Sequence, residues 1–131
     1  INYELFILAA IIGFLCVGVL NLNNIRDIEN DSKMNKKTIP TRIGFSNAKI
    51  YQIFLILISI ALTIVFTFKF EPSYNYIFVL LAILPLLFHL FKVRLAKNPI
   101  EFKPLLKQLA ASNFFYSIFI SIFMIYESIF F

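Results

Sequence analysis

Four stretches of this chain, residues 5–25, 50–68, 72–91 and 108–126, contain no Asp, Glu, Lys or Arg and run 19–21 residues each. An α-helix rises about 1.5 Å per residue, so roughly 20 residues cover the ~30 Å hydrocarbon core of a bilayer. Helices satisfy their own backbone polar groups in lipid, an open sheet does not, and the alternating pattern of a membrane barrel is absent here. The chain therefore reads as all-α, a polytopic transmembrane helix bundle with spans near 4–22, 48–68, 74–91 and 109–131. Composition agrees, with 60% hydrophobic and only 15% charged residues, where ordinary soluble domains carry about 25% charged. Membrane lipid is the first partner the sequence implies.

The connecting loops set the orientation. Residues 23–49 carry Arg26, Lys33, Lys36, Lys37, Arg42 and Lys49, residues 92–108 carry Lys92, Arg94, Lys97, Lys103 and Lys107, and residues 69–73 carry Lys69 alone. Two basic loops separated by two spans lie on one side, and the positive-inside rule makes that side cytoplasmic. Both chain ends and the 69–73 loop are then expected outside, in what we read as a bacterial cytoplasmic membrane. The net charge of +5 resides in the basic loops, so it argues for topology and an anionic small ligand, and no nucleic acid partner is expected.

Smaller features constrain less. Cys16 is the sole cysteine and lies in an apolar span, which leaves no internal disulfide and no cysteine-rich metal site. His89, near the cytoplasmic end of the third span, suits an interhelical or capping hydrogen bond better than a ligand or proton relay, because no second His or carboxylate is near it in sequence. Phe114, Phe115, Tyr116, Phe119, Phe123 and Tyr126 fit lipid-facing or packing roles. The first span follows Glu4 rather than a basic segment and precedes Asn21–Asn24 rather than a cleavage site, so it is not read as a signal peptide. Without an initiator methionine, the chain is expected to be a piece of one larger domain.

The run after the first span, NNIRDIENDSKMNKK at 23–37, carries the chemistry. If that helix continues past the membrane surface, a rotation of about 100° per residue brings Asn24, Asp27 and Asp31 within roughly 60° of one another, with Asn23 at the edge. Arg26, Glu29 and Lys33 point largely elsewhere on the same wheel, and Glu29 is left out of the site. Two carboxylates at i and i+4 repel by a few tenths of a kcal/mol on an exposed helix, so a cation is expected between them. A hard divalent ion such as Mg²⁺ suits such a pair, holds one or two carboxylates, and keeps places for water and phosphate oxygens. Asn24 adds a carbonyl acceptor. Lys36, Lys37 and Arg42 follow within a dozen residues and are suited to phosphate. On spacing alone, surface anchoring at a charged membrane interface explains the same residues, and both readings stand.

The extended run at 23–44, NNIRDIENDSKMNKKTIPTRIG, resembles the second aspartate-rich motif of the UbiA-type intramembrane prenyltransferases, a D-x-x-x-D segment in a cytoplasmic loop. Asn23, Asn24, Arg26, Asp27, Asp31, Lys36 or Lys37, Thr38, Arg42 and Gly44 match the pattern of the branch that uses 1,4-dihydroxy-2-naphthoate, in menaquinone biosynthesis. The segment EFKPLLKQLAASNFFYSIFISI, from residue 101 onward, is similar to that family's approach to its last helix. Asn35 stands where the family often has Gly, and Pro40 where a Leu-Ala or Leu-Val pair is usual. The resemblance implies a nine-helix fold of which residues 1–131 form the C-terminal portion, its last four helices; the family's first aspartate-rich motif has no counterpart here. It implies Mg²⁺ held by Asp27, Asp31 and Asn24, with Asp27 and Asp31 catalytic. Asn23, Arg26, Lys36, Lys37 and Arg42 would meet a polyprenyl diphosphate or the carboxylate of an aromatic acceptor, 1,4-dihydroxy-2-naphthoate first among them. Other acceptors of the family, 4-hydroxybenzoate, homogentisate or haem, are the alternatives within the class. A transporter fragment or a non-catalytic anchor are those outside it.

Overall fold

The computed structural model describes residues 3–70 and 76–130, so most of the 69–73 loop, with Glu71 and Ser73, and residue 131 lie outside the described residues. The described residues are all-helical: α1 (Tyr3–Arg26), α2 (Ile28–Lys33), α3 (Ile39–Phe70), α4 (Ile77–Leu95) and α5 (Phe102–Phe130), with a 3₁₀ turn at Pro99–Glu101. Four helices are long and apolar enough to cross a membrane: Tyr3–Arg26, Ile39–Lys69, Ile77–Leu95 and Pro99–Ile125. The spans number four as read from the sequence, but each extends further at its charged end, α5 starting at Phe102 rather than near 109. Helices α1, α3 and α4 run through Arg26, Lys49 and Lys92, because a charged side chain ends an apolar window without ending a helix once the chain is past the hydrocarbon. The segment at 23–49, read as a loop, is accordingly helical for most of its length.

Burial shows which face of each apolar helix is inside. On α1 the buried positions are Ile11, Leu15, Gly18, Asn21, Leu22 and Ile25; on α4 they include Val79, Ala82, Leu86, His89 and Val93. Steps alternating between three and four residues generate the narrow stripe of left-handed helix packing. Helix α1 packs mainly on α3 and α5, and α4 on α5 with a lighter contact to α3. Apolar side chains gain little by leaving lipid for a helix interface, so close packing and buried polar contacts must hold the bundle. The chain supplies both. Asn21 Nδ2 on α1 donates to the carbonyl of Ala48 (3.1 Å) and to Gln52 Oε1 (3.0 Å) on α3. Gln52 Nε2 lies 3.4 Å from His89 Nε2 on α4, and Thr63 on α3 is 2.6 Å from the Tyr116 hydroxyl on α5.

His89 thus makes the interhelical contact expected of it. A Cβ at Gly18 would come within 3.3 Å of both Gln52 Nε2 and Leu109 Cδ2, so Gly18 leaves the room through which Gln52 crosses between helices. Gly13 faces open space. In α5, Tyr116 and Phe123 are buried whereas Phe114 and Phe115 are exposed, so the aromatic helix divides between packing and an outward face.

One end of the bundle gathers both basic segments. Lys49 Nζ donates to the carbonyls of Arg94 (2.8 Å) and Ala96 (2.6 Å), placing a cation on the unsatisfied C-terminal carbonyls of α4. An open cleft of about 510 Å³ lies between Arg26, Glu29 and Asn30 on one side and Asn98, Pro99, Ile100 and Lys103 on the other. This end is expected to be cytoplasmic. Lys36→Cys and Ser73→Cys, probed separately with an impermeant maleimide in inverted and right-side-out vesicles, should label from opposite sides. Labelling of both from one side would disprove the topology.

Candidate functional site

The acidic run sits at the C-terminal end of α1, and its helix is nearly continuous. Only Asp27 leaves helical geometry (φ −96°, ψ 8°), between α1 and α2. Hydrogen bonds span the break on both sides, from the Asp27 amide to the Asn23 carbonyl (3.2 Å) and from the Asp31 amide to the Asp27 carbonyl (2.8 Å). These bonds keep Asn23, Asp27 and Asp31 in i to i+4 register across the break. Asp31 is buried, Asn23, Asn24 and Asp27 are half-buried, and Glu29 is exposed.

Each of the two carboxylates carries a cation of the chain itself. Arg26 grips Asp27 with two parallel bonds, Nε to Oδ1 at 2.7 Å and Nη2 to Oδ2 at 2.5 Å. That guanidinium holds the Asp27 carboxyl below the usual carboxylate range; desolvation opposes the shift, and the nearby charges of Arg26 and Lys36 reinforce it. Asp27 therefore remains ionised at neutral pH. Arg26, which the helical wheel turned away from the stripe, reaches it because its partner is the adjacent residue. Lys36 Nζ lies 3.1 Å from Asp31 Oδ1.

The turn that brings Lys36 back is written in the sequence. After α2 the Asn35 amide bonds to the Ser32 carbonyl (3.2 Å) and the Lys36 amide to the Asp31 carbonyl (2.8 Å). This pair of bonds is the Schellman closure of a helix, which needs a left-handed residue in the position Asn35 fills at φ 54°. Gly is the usual occupant and Asn the next best, so Asn35 does the job of a glycine. The α3 helix then starts on a reciprocal cap. Thr38 N–H donates to Thr41 Oγ1 (2.8 Å) and Thr41 N–H to Thr38 Oγ1 (3.4 Å). Pro40 falls in that first turn, where an N–H has no helical acceptor to lose. Gly44 then breaks α3 at φ 81°, ψ 164°, a conformation essentially confined to glycine.

Lys37 and Arg42 are exposed, and neither forms an ion pair with Asp27 or Asp31 in the structure. Among the described residues no group of three or more His, Cys, Asp or Glu is gathered. What the chain offers a divalent cation is a pair of carboxylates and an amide. The donor set is hard oxygen and fits Mg²⁺ chemically. One atom also lacks a partner: Asp31 Oδ2 is buried and accepts no hydrogen bond. Sequence reasoning gave His89 an interhelical bond but missed its partners in the network, Asn21 and Gln52, one to two turns inside this mouth. The available signal was an amide at 21 and another at 52, each set among apolar residues in a window without charge.

A comparison with protein families matches residues 1–125 to the UbiA prenyltransferase family. The chain belongs to that family. Among curated proteins it is similar to the 1,4-dihydroxy-2-naphthoate octaprenyltransferase of Haemophilus influenzae (strain ATCC 51907 / DSM 11121 / KW20 / Rd), at 34% identity over 84% of this chain and 36% of that one. It is also similar to the Escherichia coli (strain K12) protein of the same name, at 42% identity over 34% of this chain and 15% of the relative. The chain thus spans about a third, or less, of the length of these relatives. No solved structure gave a significant match. Family membership and the four apolar helices make this UbiA chain an integral membrane protein.

Proposed function

We propose that the chain is the C-terminal portion, the last four of nine helices, of a Mg²⁺-dependent prenyltransferase that moves a polyprenyl group from its diphosphate to 1,4-dihydroxy-2-naphthoate. The observation that carries the reading is Asp31, buried with one oxygen unpartnered, one helical turn beyond Asp27 at the mouth of a transmembrane helix. The printed names of two relatives favour the naphthoate acceptor over the others of the class.

On this reading Asp27, Asp31 and Asn24 would hold Mg²⁺, whose chemistry there is Lewis-acid stabilisation of the departing diphosphate. Asn23 supports that oxygen set with its amide. Lys36, Lys37 and Arg42 set positive charge against the charge that develops as the prenyl C–O bond breaks. Arg26 fixes the Asp27 carboxylate and offers its remaining N–H groups to phosphate or to the acceptor carboxylate. The apolar helices take the isoprenoid tail and exclude water that would quench an allylic cation. The acceptor ring then forms the new C–C bond and carbon dioxide is lost, leaving diphosphate as the other product. The complete enzyme in nanodiscs, given carboxyl-labelled 1,4-dihydroxy-2-naphthoate, should release label as carbon dioxide in step with prenylated product. A kcat/KM for 4-hydroxybenzoate or homogentisate equal to or above that for the naphthoate would refute the acceptor assignment.

A further inference from the structure

The two aspartates are held differently by their own cations. Arg26 takes both oxygens of Asp27, and the two side chains are about equally exposed. Lys36 takes one oxygen of Asp31, and here the exposures diverge: 8% for the aspartate side chain against 56% for the lysine. The carboxylate is thus fixed inside the protein, while the ammonium stands at the surface on a flexible stem. Lysine suits a contact that must be given up, being a compact, strongly hydrated point charge rather than a planar fork. The second oxygen of Asp31 stays buried without a donor.

Resting on the metal–diphosphate reading of this pair, we infer that Lys36 is an exchangeable counter-ion. It neutralises Asp31 while the site is empty, and it passes to a phosphate oxygen when a divalent cation and a diphosphate arrive together. A divalent ion on Asp31 alone meets the charge of Lys36 a few ångströms away and binds weakly. A diphosphate draws the ammonium off and removes that repulsion, so each ligand raises the affinity of the other by the same factor. The bundle mouth then does not load metal without substrate. Arg26, gripping Asp27 through a bidentate pair, is not the exchanging group.

The probe is Mn²⁺ alone, followed by electron paramagnetic resonance of the free ion over the complete enzyme in nanodiscs. Lys36→Gln should bind Mn²⁺ about three- to tenfold more tightly than wild type, the scale of removing one nearby charge at a partly exposed site. With Mn²⁺ present it should bind a prenyl thiolodiphosphate about tenfold more weakly. Lys36→Arg should retain the weak binding of Mn²⁺ alone. Opposite signs for the two ligands are what a merely structural lysine would not produce. If Mn²⁺ binding depends on Asp31, as read from Asp31→Asn, yet is unchanged or weakened by Lys36→Gln, the exchange is overturned while the site reading stands. If Asp31→Asn binds Mn²⁺ as tightly as wild type, both fall.

Discussion

Replacing Asp27 or Asp31 by Ala in the complete enzyme should lower Mg²⁺-dependent prenyl transfer by on the order of 10³-fold, to the floor of most assays. Glu29→Ala should leave turnover within about threefold of wild type. The three carboxylates lie within five residues, so each variant makes the same change in net charge in the same segment, and placement is what differs. Asp27 and Asp31 share a stripe, each with a cation of the chain on it, whereas Glu29 is exposed on another side of α2 and borders the open cleft. Turnover of the three purified variants decides the matter. A Glu29 defect as deep as those of the two aspartates would remove the basis for the stripe.

Residues 1–131 expressed alone should give no detectable prenyl transfer, and activity should appear only on co-expression with a separately encoded N-terminal half from a full-length relative. A prenyl diphosphate carries several negative charges and is expected to be clamped by divalent ions from more than one direction, while Asp27 and Asp31 supply one side. Other carboxylates do not fill in. Glu101 is occupied locally, accepting from the Lys97 amide (3.3 Å) and from Asn98 Nδ2 (3.1 Å). Glu4 belongs to the first turn of α1, far along that helix from Arg26, and Glu71 and Glu127 belong to the segments expected at the opposite membrane face. The open face near Gly13 leaves room for another helix, whereas Gly18 is already used against α3 and α5. The readout is Mg²⁺-dependent prenylation of 1,4-dihydroxy-2-naphthoate in membranes. Robust activity from the short chain alone would overturn the two-sided clamp.

The number of spans and the existence of an acidic stripe were legible in the sequence because both rest on strong physical contrasts, charge against hydrocarbon and helical period against chain spacing. Helix ends were not, since Lys49 and Lys92 continue helices whose apolar windows they close. Nor was the inner face of each span. In a helix apolar all round, no polar side marks the outside, so Phe114 and Tyr116 look alike until packing separates them. The ion pair of Arg26 with Asp27 was missed because the wheel compares directions and ignores the reach of a long side chain to its immediate neighbour. Asn35 looked like a departure from a glycine position, and its dihedral explains the exchange.

The link through Gln52 constrains how such a chain can change over generations. Gln52 is the shared partner of Asn21 and His89, and all three side chains are enclosed by the bundle. Exchange of Gln52 alone for leucine strands the His89 imidazole in a medium without water and leaves Asn21 only the Ala48 carbonyl, which costs more than the lost bonds themselves. Exchange of all three for apolar residues of matching volume removes every stranded group at once and can be close to neutral. Any side chain larger than hydrogen at position 18 crowds Gln52 on α3 and Leu109 on α5 alike. Positions 18, 21, 52 and 89 are therefore expected to drift as one unit, each step permitted only by the residues the others already hold.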